Sequence, residues 1–288
     1  MTYIITFLLA FVPAGKTLQR GFATPQEAIQ ATIEASEHND MASLRQIFGT
    51  DSKNIVESGD SAADQNDRAE FVRLAHEKTR VNRDPANPDR VTFSIGNEDW
   101  PFPVPLERRN GQWFFDSARG QVEILAHRIG ENELNVIDVC RGFAEAEFEY
   151  ASRTHDGGNI LEYAQRFISS PGKQDGLYWD DADSLVPRSF ANAATAGRPY
   201  HGYYFRILTG QGVNAPGSAF SYIVDNKMIG GFAMVAWPAE YGVSGIETFM
   251  ISHTGNVYEK DLGSNTAALM KQITVFDPDP SWHESESD

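Results

Sequence analysis

Ser252 and His253 stand side by side, a hydroxyl next to an imidazole, and His201 opens an aromatic run. Acyl transfer needs the imidazole within hydrogen-bond reach of the hydroxyl, with a third group orienting the base. Neighbours on a strand point to opposite faces, and the chain has no Gly-x-Ser-x-Gly elbow to present a nucleophile. Both histidines therefore read as strand-edge residues bonded to backbone. Asp175, Asp180, Asp181 and Asp183 supply the oxygen atoms that calcium prefers, but not at EF-hand spacing, and there is no His-x-x-x-His pair. Solvated loop acids are the simpler account. Gly157-Gly158 and Gly230-Gly231 do not open a strand-to-helix phosphate cradle. The single cysteine, Cys140, has no partner for an internal disulfide or a multi-cysteine zinc site and reads as a small buried hydrophobe.

The richest remaining set is aromatic. Trp179, Tyr200, His201, Tyr203, Tyr204, Trp237 and Tyr241 are the side chains that would line a groove for a small peptide or glycan, with Arg206 for a carboxylate. A filled core accounts for most of them equally well. No catalytic residue, metal ligand or cofactor is assigned.

Those residues must be positioned by elements that the sequence marks out. The 288 residues suit two domains of roughly 100–150 residues each. Ile4 to Val12 is a short apolar run ending at Pro13-Ala14-Gly15, the pattern of a secretory leader without its basic start, and residues 1–22 are set aside as a signal segment. No later stretch is long enough to span a bilayer. The first domain, 23–128, opens on Thr24-Pro25-Gln26-Glu27, a capped helix start, followed by helices over 41–48 and 64–79 and a loop at 84–88. Val91, Phe93 and Ile95 alternate as a strand. Three prolines between Trp100 and Pro105 restrict that stretch to an edge. Asn110-Gly111 turns a hairpin, and a helix over 117–128 closes the domain.

The second domain, 129–276, starts with a helix over 132–152 whose apolar stripe is Leu134, Ile137, Cys140, Ala144, Phe148 and Ala151, with Glu145, Glu147 and Glu149 on the opposite face. A short helix is expected over 160–168 and loop over 173–197. From Tyr200 the period becomes two: strands over 203–207, 219–224, 229–237, 246–252 and 257–260, joined by short turns, make an antiparallel meander. Residues 277–288 read as a loose polar tail. The fold class is α+β: N-terminal helices with a curved antiparallel hairpin, then a long amphipathic helix packed on an antiparallel meander.

The blocks Asp99-Trp100-Pro101-Phe102-Pro103, Asp175-Gly176-Leu177-Tyr178-Trp179, Tyr200-His201-Gly202-Tyr203-Tyr204-Phe205-Arg206, Gly230-Gly231-Phe232-Ala233 and Val257-Tyr258-Glu259-Lys260-Asp261-Leu262-Gly263 resemble a bacterial family known as domain of unknown function 2950. The resemblance covers nearly all the chain after the leader. It implies an exported protein and implies no activity. The second domain also resembles the globular heads of type IV pilins and pseudopilins, without their N-terminal processing site. The first is similar to nuclear-transport-factor-like cone folds. The formal charge of −16 repels nucleic acid and anionic lipid. The expected protein is periplasmic or secreted, has no stable membrane span once the leader is removed, and is a non-enzymatic interaction module whose partner is another envelope protein. The alternative is a pocket protein or hydrolase using the aromatic groove.

Overall fold

The computed structural model describes residues 19–49, 52–56 and 61–285. The leader's apolar run lies outside them. By internal contact the chain divides into two units meeting between Ala126 and His127.

Unit 1 runs through helices α1 (Pro25–Glu37), α2 (Met41–Phe48), α3 (Lys53–Val56) and α4 (Ser61–Glu77), then strands β1 (Thr79–Asp84), β2 (Asn87–Ile95), β3 (Trp100–Pro101), β4 (Leu106–Arg109) and β5 (Gln112–Phe115). The Thr24 hydroxyl accepts the Glu27 N–H, and the Glu27 carboxylate accepts the Ala23 N–H, so the start of α1 is closed from both sides. Asp40 caps α2 through the Ala42 and Ser43 N–H groups. The sheet is antiparallel with order β1-β2-β4-β5, and β3 pairs with β2. Asn110 and Gly111 both have positive φ in the β4–β5 turn, the conformation a two-residue hairpin requires. Ile29, Ile33, Leu44, Ile47 and Phe48 meet Phe93, Leu106 and Phe115 in one core, with Phe93 and Phe102 rings stacked at 4.3 Å.

Two expectations change here. β1 lies where the sequence predicts only a helix end at Thr79 and a loop from Asp84, with no element over 80–83. Its sequence, TRVNRD, carries one apolar residue, so no period announces it, and its pairing with the strongly patterned β2 makes it a strand. Residues 19–22, placed within the leader, belong to the fold: Phe22 is buried and exchanges backbone hydrogen bonds with Trp113, and the Gln19 amide donates to the Ile47 and Phe115 carbonyls.

Helix α5 (Ser117–Tyr150) is continuous across 34 residues, where two helices were expected. Gly130 weakens a helix by about 1 kcal/mol relative to Ala but does not end it without a capping turn. Unit 2 continues with α6 (Arg188–Thr195), β6 (Tyr203–Leu208), β7 (Gly210–Gln211), β8 (Phe220–Ser221), β9 (Ile223–Val224), β10 (Lys227–Met228), β11 (Ala233–Pro238), β12 (Glu247–Ser252), β13 (Val257–Asp261), α7 (Thr266–Leu269) and β14 (His283–Glu284). Its main sheet has the order β14-β13-β12-β11-β6, all antiparallel, which is a meander with one excursion between β6 and β11. No helix among the described residues is long and apolar enough to cross a membrane.

The register sorts the sheet into two faces. Tyr203, Phe205, Met234, Ala236, Phe249 and Ile251 share one, and the Tyr203 hydroxyl reaches Glu133 of α5, so this is the face α5 covers. Tyr204, Arg206, Val235, Trp237, Met250 and Tyr258 share the other. That face is covered by the chain after β13: Arg206 donates to the Met270 and Ile273 carbonyls, and the Tyr258 and Phe276 rings meet at 5.8 Å. The segment expected as a loose tail is therefore packed as far as residue 285, with Trp282 buried, β14 paired to β13 and Asp277 accepting from Asn214.

The buried stripe of α5 is Val136, Cys140, Phe143, Glu147 and Tyr150, at spacings of four and three. Of the expected stripe, Cys140 and Ala144 are buried and Ile137 packs against the core, but its phase is rotated: Leu134 is 64% exposed and Phe148 48%, while Glu147 is fully buried. The run 145–149 alternates acidic and apolar residues, so hydropathy alone puts Glu147 outside. The expected helix over 160–168 is absent. Its backbone is bonded to distant chain instead: the Tyr163 N–H donates to the Met228 carbonyl, Leu177 N–H to Arg166, and Tyr178 N–H to Phe167.

Gly245 is buried, and a Cβ there would fall on the Tyr203 hydroxyl and ring. Tyr203 is itself fully buried and donates to the Glu247 carbonyl at 3.0 Å, so it has nowhere to retreat. Gly245→Ala is expected to lower stability by about 1–3 kcal/mol in a denaturant titration.

Candidate functional site

The eight aromatic-groove residues do not converge. Tyr204 and Trp237 are cross-strand neighbours with rings 5.7 Å apart, and the Arg206 guanidinium lies 5.4 Å from the Trp237 ring centre. These three form one cluster on the sheet face away from α5. Period-two alternation along β6 placed Tyr204 and Arg206 together, and the β6–β11 register adds Trp237. The cluster's cation is already engaged: one Arg206 nitrogen donates to both the Met270 and Ile273 carbonyls, its Nε is buried without a partner, and burial lowers its pKa. A guanidinium held under an indole by two carbonyls pins the 270–273 segment to the sheet.

The others lie elsewhere. Tyr203 is on the α5 side, and burial, then Glu133, pushes its hydroxyl pKa up. Tyr200 packs on Phe190 at 5.6 Å and on His201 at 4.3 Å, and His201 is exposed with positive φ. The Tyr241 hydroxyl donates to Asp261. Trp179 is buried and donates from its indole to Asp183 at 2.7 Å, with the Arg153 guanidinium 5.9 Å from its ring centre.

Trp179 leads to a cluster the sequence did not announce. His155 lies stacked on Tyr150 at 3.8 Å, and its Nε2 donates to the Tyr150 carbonyl at 2.8 Å. A carbonyl only accepts, so Nε2 carries a proton; Nδ1 is buried and has no partner. Tyr150 in turn donates from its hydroxyl to the Gln174 carbonyl. This cluster fastens the loop after α5 to the helix end. The four aspartates weighed as calcium ligands are each engaged separately: Asp175 by Ser170 and Arg166, Asp180 by Tyr178 and Arg188, Asp181 by the Ala182 N–H, and Asp183 by Trp179 and Arg153. Among the described residues no three metal-binding side chains are grouped.

Ser252 and His253 do not form a catalytic pair. The Ser252 hydroxyl bonds Thr254, while His253 packs edge-on against Tyr222 at 5.6 Å with its Nδ1 buried and unpartnered.

The family model described as "Protein of unknown function (DUF2950)" matches residues 19–285. The chain belongs to this family. No curated protein and no solved structure matches it. In this DUF2950 chain the most perturbed acids are Glu147 of α5 and Glu247 at the start of β12. Glu147 accepts the Ala164 N–H with one oxygen at 2.8 Å, and its other oxygen is buried without a partner. Burial holds its pKa well above the ordinary carboxylate range, against the pull of the Ala164 N–H. Glu247 is pushed up to about 7, first by burial and then by Glu133, Glu259 and Asp261. Glu133 accepts the Ile246 and Glu247 N–H groups, and the Asn132 amide donates to Ser244, so the β11–β12 loop is held by α5. These groups tie loops to a helix. No sequence signal marked Glu147, since an acid in an acidic run reads as solvated.

Proposed function

We propose that this is an exported protein of the cell envelope that works by contact with another envelope protein, unit 2 serving as a pilin-like head. The observation that carries this reading is the second, exposed apolar flank of α5. Leu134 stands out of the helix, and Phe148 is 48% exposed although its ring also meets Phe232 at 5.2 Å and Tyr163 at 6.4 Å, while the stripe of the same helix next to them fills the core. Ile160 and Leu161 add exposed apolar surface in the loop after it. Isolated surface hydrophobics are ordinary, but several on and beside one helix suit a protein partner. The leader-like run at Ile4 to Val12 supports export. The helix-on-meander arrangement supports the likeness to pilin heads. Against the aromatic-groove alternative stands Arg206, whose guanidinium is engaged by main chain rather than turned to a ligand carboxylate.

Two measurements test the proposal in the native host. N-terminal sequencing is expected to give a mature chain starting between Gly15 and Gln19, ahead of the packed Phe22. A photo-crosslinking side chain at position 134 or 148 is expected to give one discrete adduct in the envelope fraction, and the same probe at exposed Glu145 none. An intact cytoplasmic chain sinks the export reading, and equal adducts from all three positions sink the contact reading.

A further inference from the structure

We infer that unit 1 pairs with a second copy of itself through β1, joining the two sheets edge to edge. β1 is the outer strand of its sheet, with β2 on one side. The Gly96 N–H donates to the Lys78 carbonyl, which makes 78/96 a hydrogen-bonded pair. Such pairs recur at every second residue of an antiparallel ladder. With the observed register, Arg80/Ser94 and Asn82/Thr92 therefore also bond to β2. Thr79, Val81 and Arg83 then aim their N–H and C=O groups outward, where among the described residues they have no backbone partner. Thr79, Arg80 and Arg83 are exposed and Val81 half-buried. This is an open template for another strand.

The occupant follows from the charges. Arg80, Asn82 and Asp84 alternate along β1, the last just past the register shift against β2 that falls between Arg83 and Asp84. An antiparallel copy must set outward residues against outward residues. That condition never places Arg80 opposite Arg83 of the second copy, because one of the two points its backbone inward. The register with Val81 opposite the second copy's Arg83 places Asn82 against its own counterpart on a two-fold axis. It sets Arg80 against Asp84 twice, at the non-hydrogen-bonded positions where facing side chains come closest. Val81 and Arg83 then exchange about four backbone hydrogen bonds across the axis. Arg80 has one loose ion-pair partner within the chain, Asp99 at 3.4 Å; Asp84 accepts the Ala86 N–H at 2.8 Å with one oxygen and lies 3.6 Å from Arg90 with the other, so the new pairs extend an existing network. Charged side chains on an edge ordinarily deter pairing; here their order makes the strand complementary to itself.

Sedimentation velocity on the full chain tests this. The wild type is expected to be a dimer at about 50 μM. Val81→Pro removes an outward N–H while leaving the bonds to β2 in place, and is expected to yield monomer with an unchanged circular dichroism spectrum. Arg80→Asp and Asp84→Arg are each expected to weaken dimerisation roughly tenfold or more, since two pairs are lost and made repulsive at once. The chain carrying both changes should dimerise within about threefold of wild type, because the pairs re-form with charges exchanged. A monomeric wild type overturns the inference, as does a dimer indifferent to Arg80→Asp and Asp84→Arg. If Val81→Pro fails to fold, the charge exchange decides.

Discussion

Phe143→Ala is expected to lower the stability of unit 2 by about 3–5 kcal/mol, whereas Leu134→Ala is expected to stay within about 0.5 kcal/mol. Both residues lie on α5 and both are apolar, so the contrast reads helix phase directly. The Phe143 ring is fully enclosed, meeting Phe167 at 6.2 Å and Phe232 at 5.7 Å in edge-on geometry. Truncation leaves a hole that rigid neighbours cannot fill. Leu134 is mostly in water and has little to lose. A two-unit chain need not melt in one step, so the shift is best read from hydrogen exchange of β11 and β12 amides. Equal protection losses in the two variants would mean that the helix is rotated from the orientation described.

Glu147→Ala is expected to cost about 3–5 kcal/mol, and Glu147→Gln at most about 1 kcal/mol at neutral pH. Alanine leaves the buried Ala164 N–H without an acceptor and opens a cavity beside Tyr150 and Phe143. Glutamine keeps the acceptor and resembles the neutral acid that burial favours. The pH dependence has a definite sign. The folded pKa of Glu147 is raised, so between the unfolded value near 4.5 and that raised value the folded state holds more protons than the unfolded one. Stability is fully present below pH 4.5 and declines as pH rises through that window. Glu247, raised to about 7, adds a decline of the same sign between pH 4.5 and 7. Urea midpoints measured from pH 5 to pH 8 should therefore fall in the wild type, and fall less in Glu147→Gln. A flat wild-type profile, or a Gln variant as damaged as the Ala variant, would show that Glu147 is ionised in the fold.

Local chemistry was legible where it is decisive on its own. Thr24 and Glu27 announced α1, Asn110-Gly111 announced a hairpin, and the period-two runs from Tyr203 onward announced β6, β11, β12 and β13. Readings failed where a tertiary contact outweighs the local signal. β1 has no apolar period and exists because β2 offers a ladder. Residues 160–168 have helical spacing, but Tyr163 and Ala164 find partners in Met228 and Glu147. Glu147 hid part of the buried stripe of α5, because a buried acid and a solvated one look alike in a string of letters. At the candidate site, alternation placed Tyr204 with Arg206, and nothing local foretold that Arg206 would be spent on the 270–273 carbonyls. His155 was invisible as a partner of Tyr150 because the α5 boundary that sets their stacking is a matter of helix length, not composition.

The covering of the second sheet face by the chain after β13 sets an order of events during synthesis. All of unit 1's described strands and helices α1 to α4 precede Asp116, so its core is available to close while the rest is still being made. Unit 2 has no such freedom. Met270, Phe276 and Trp282 are buried members of its core, and β14 lies beside β13. Until the ribosome has released them, Met250 and the face around Arg206 stay wet and α5 holds a half-built sheet. Unit 2 therefore closes only once residues 270–284 have emerged. A ribosome stalled short of residue 270 would display a finished first unit and an aggregation-prone second one.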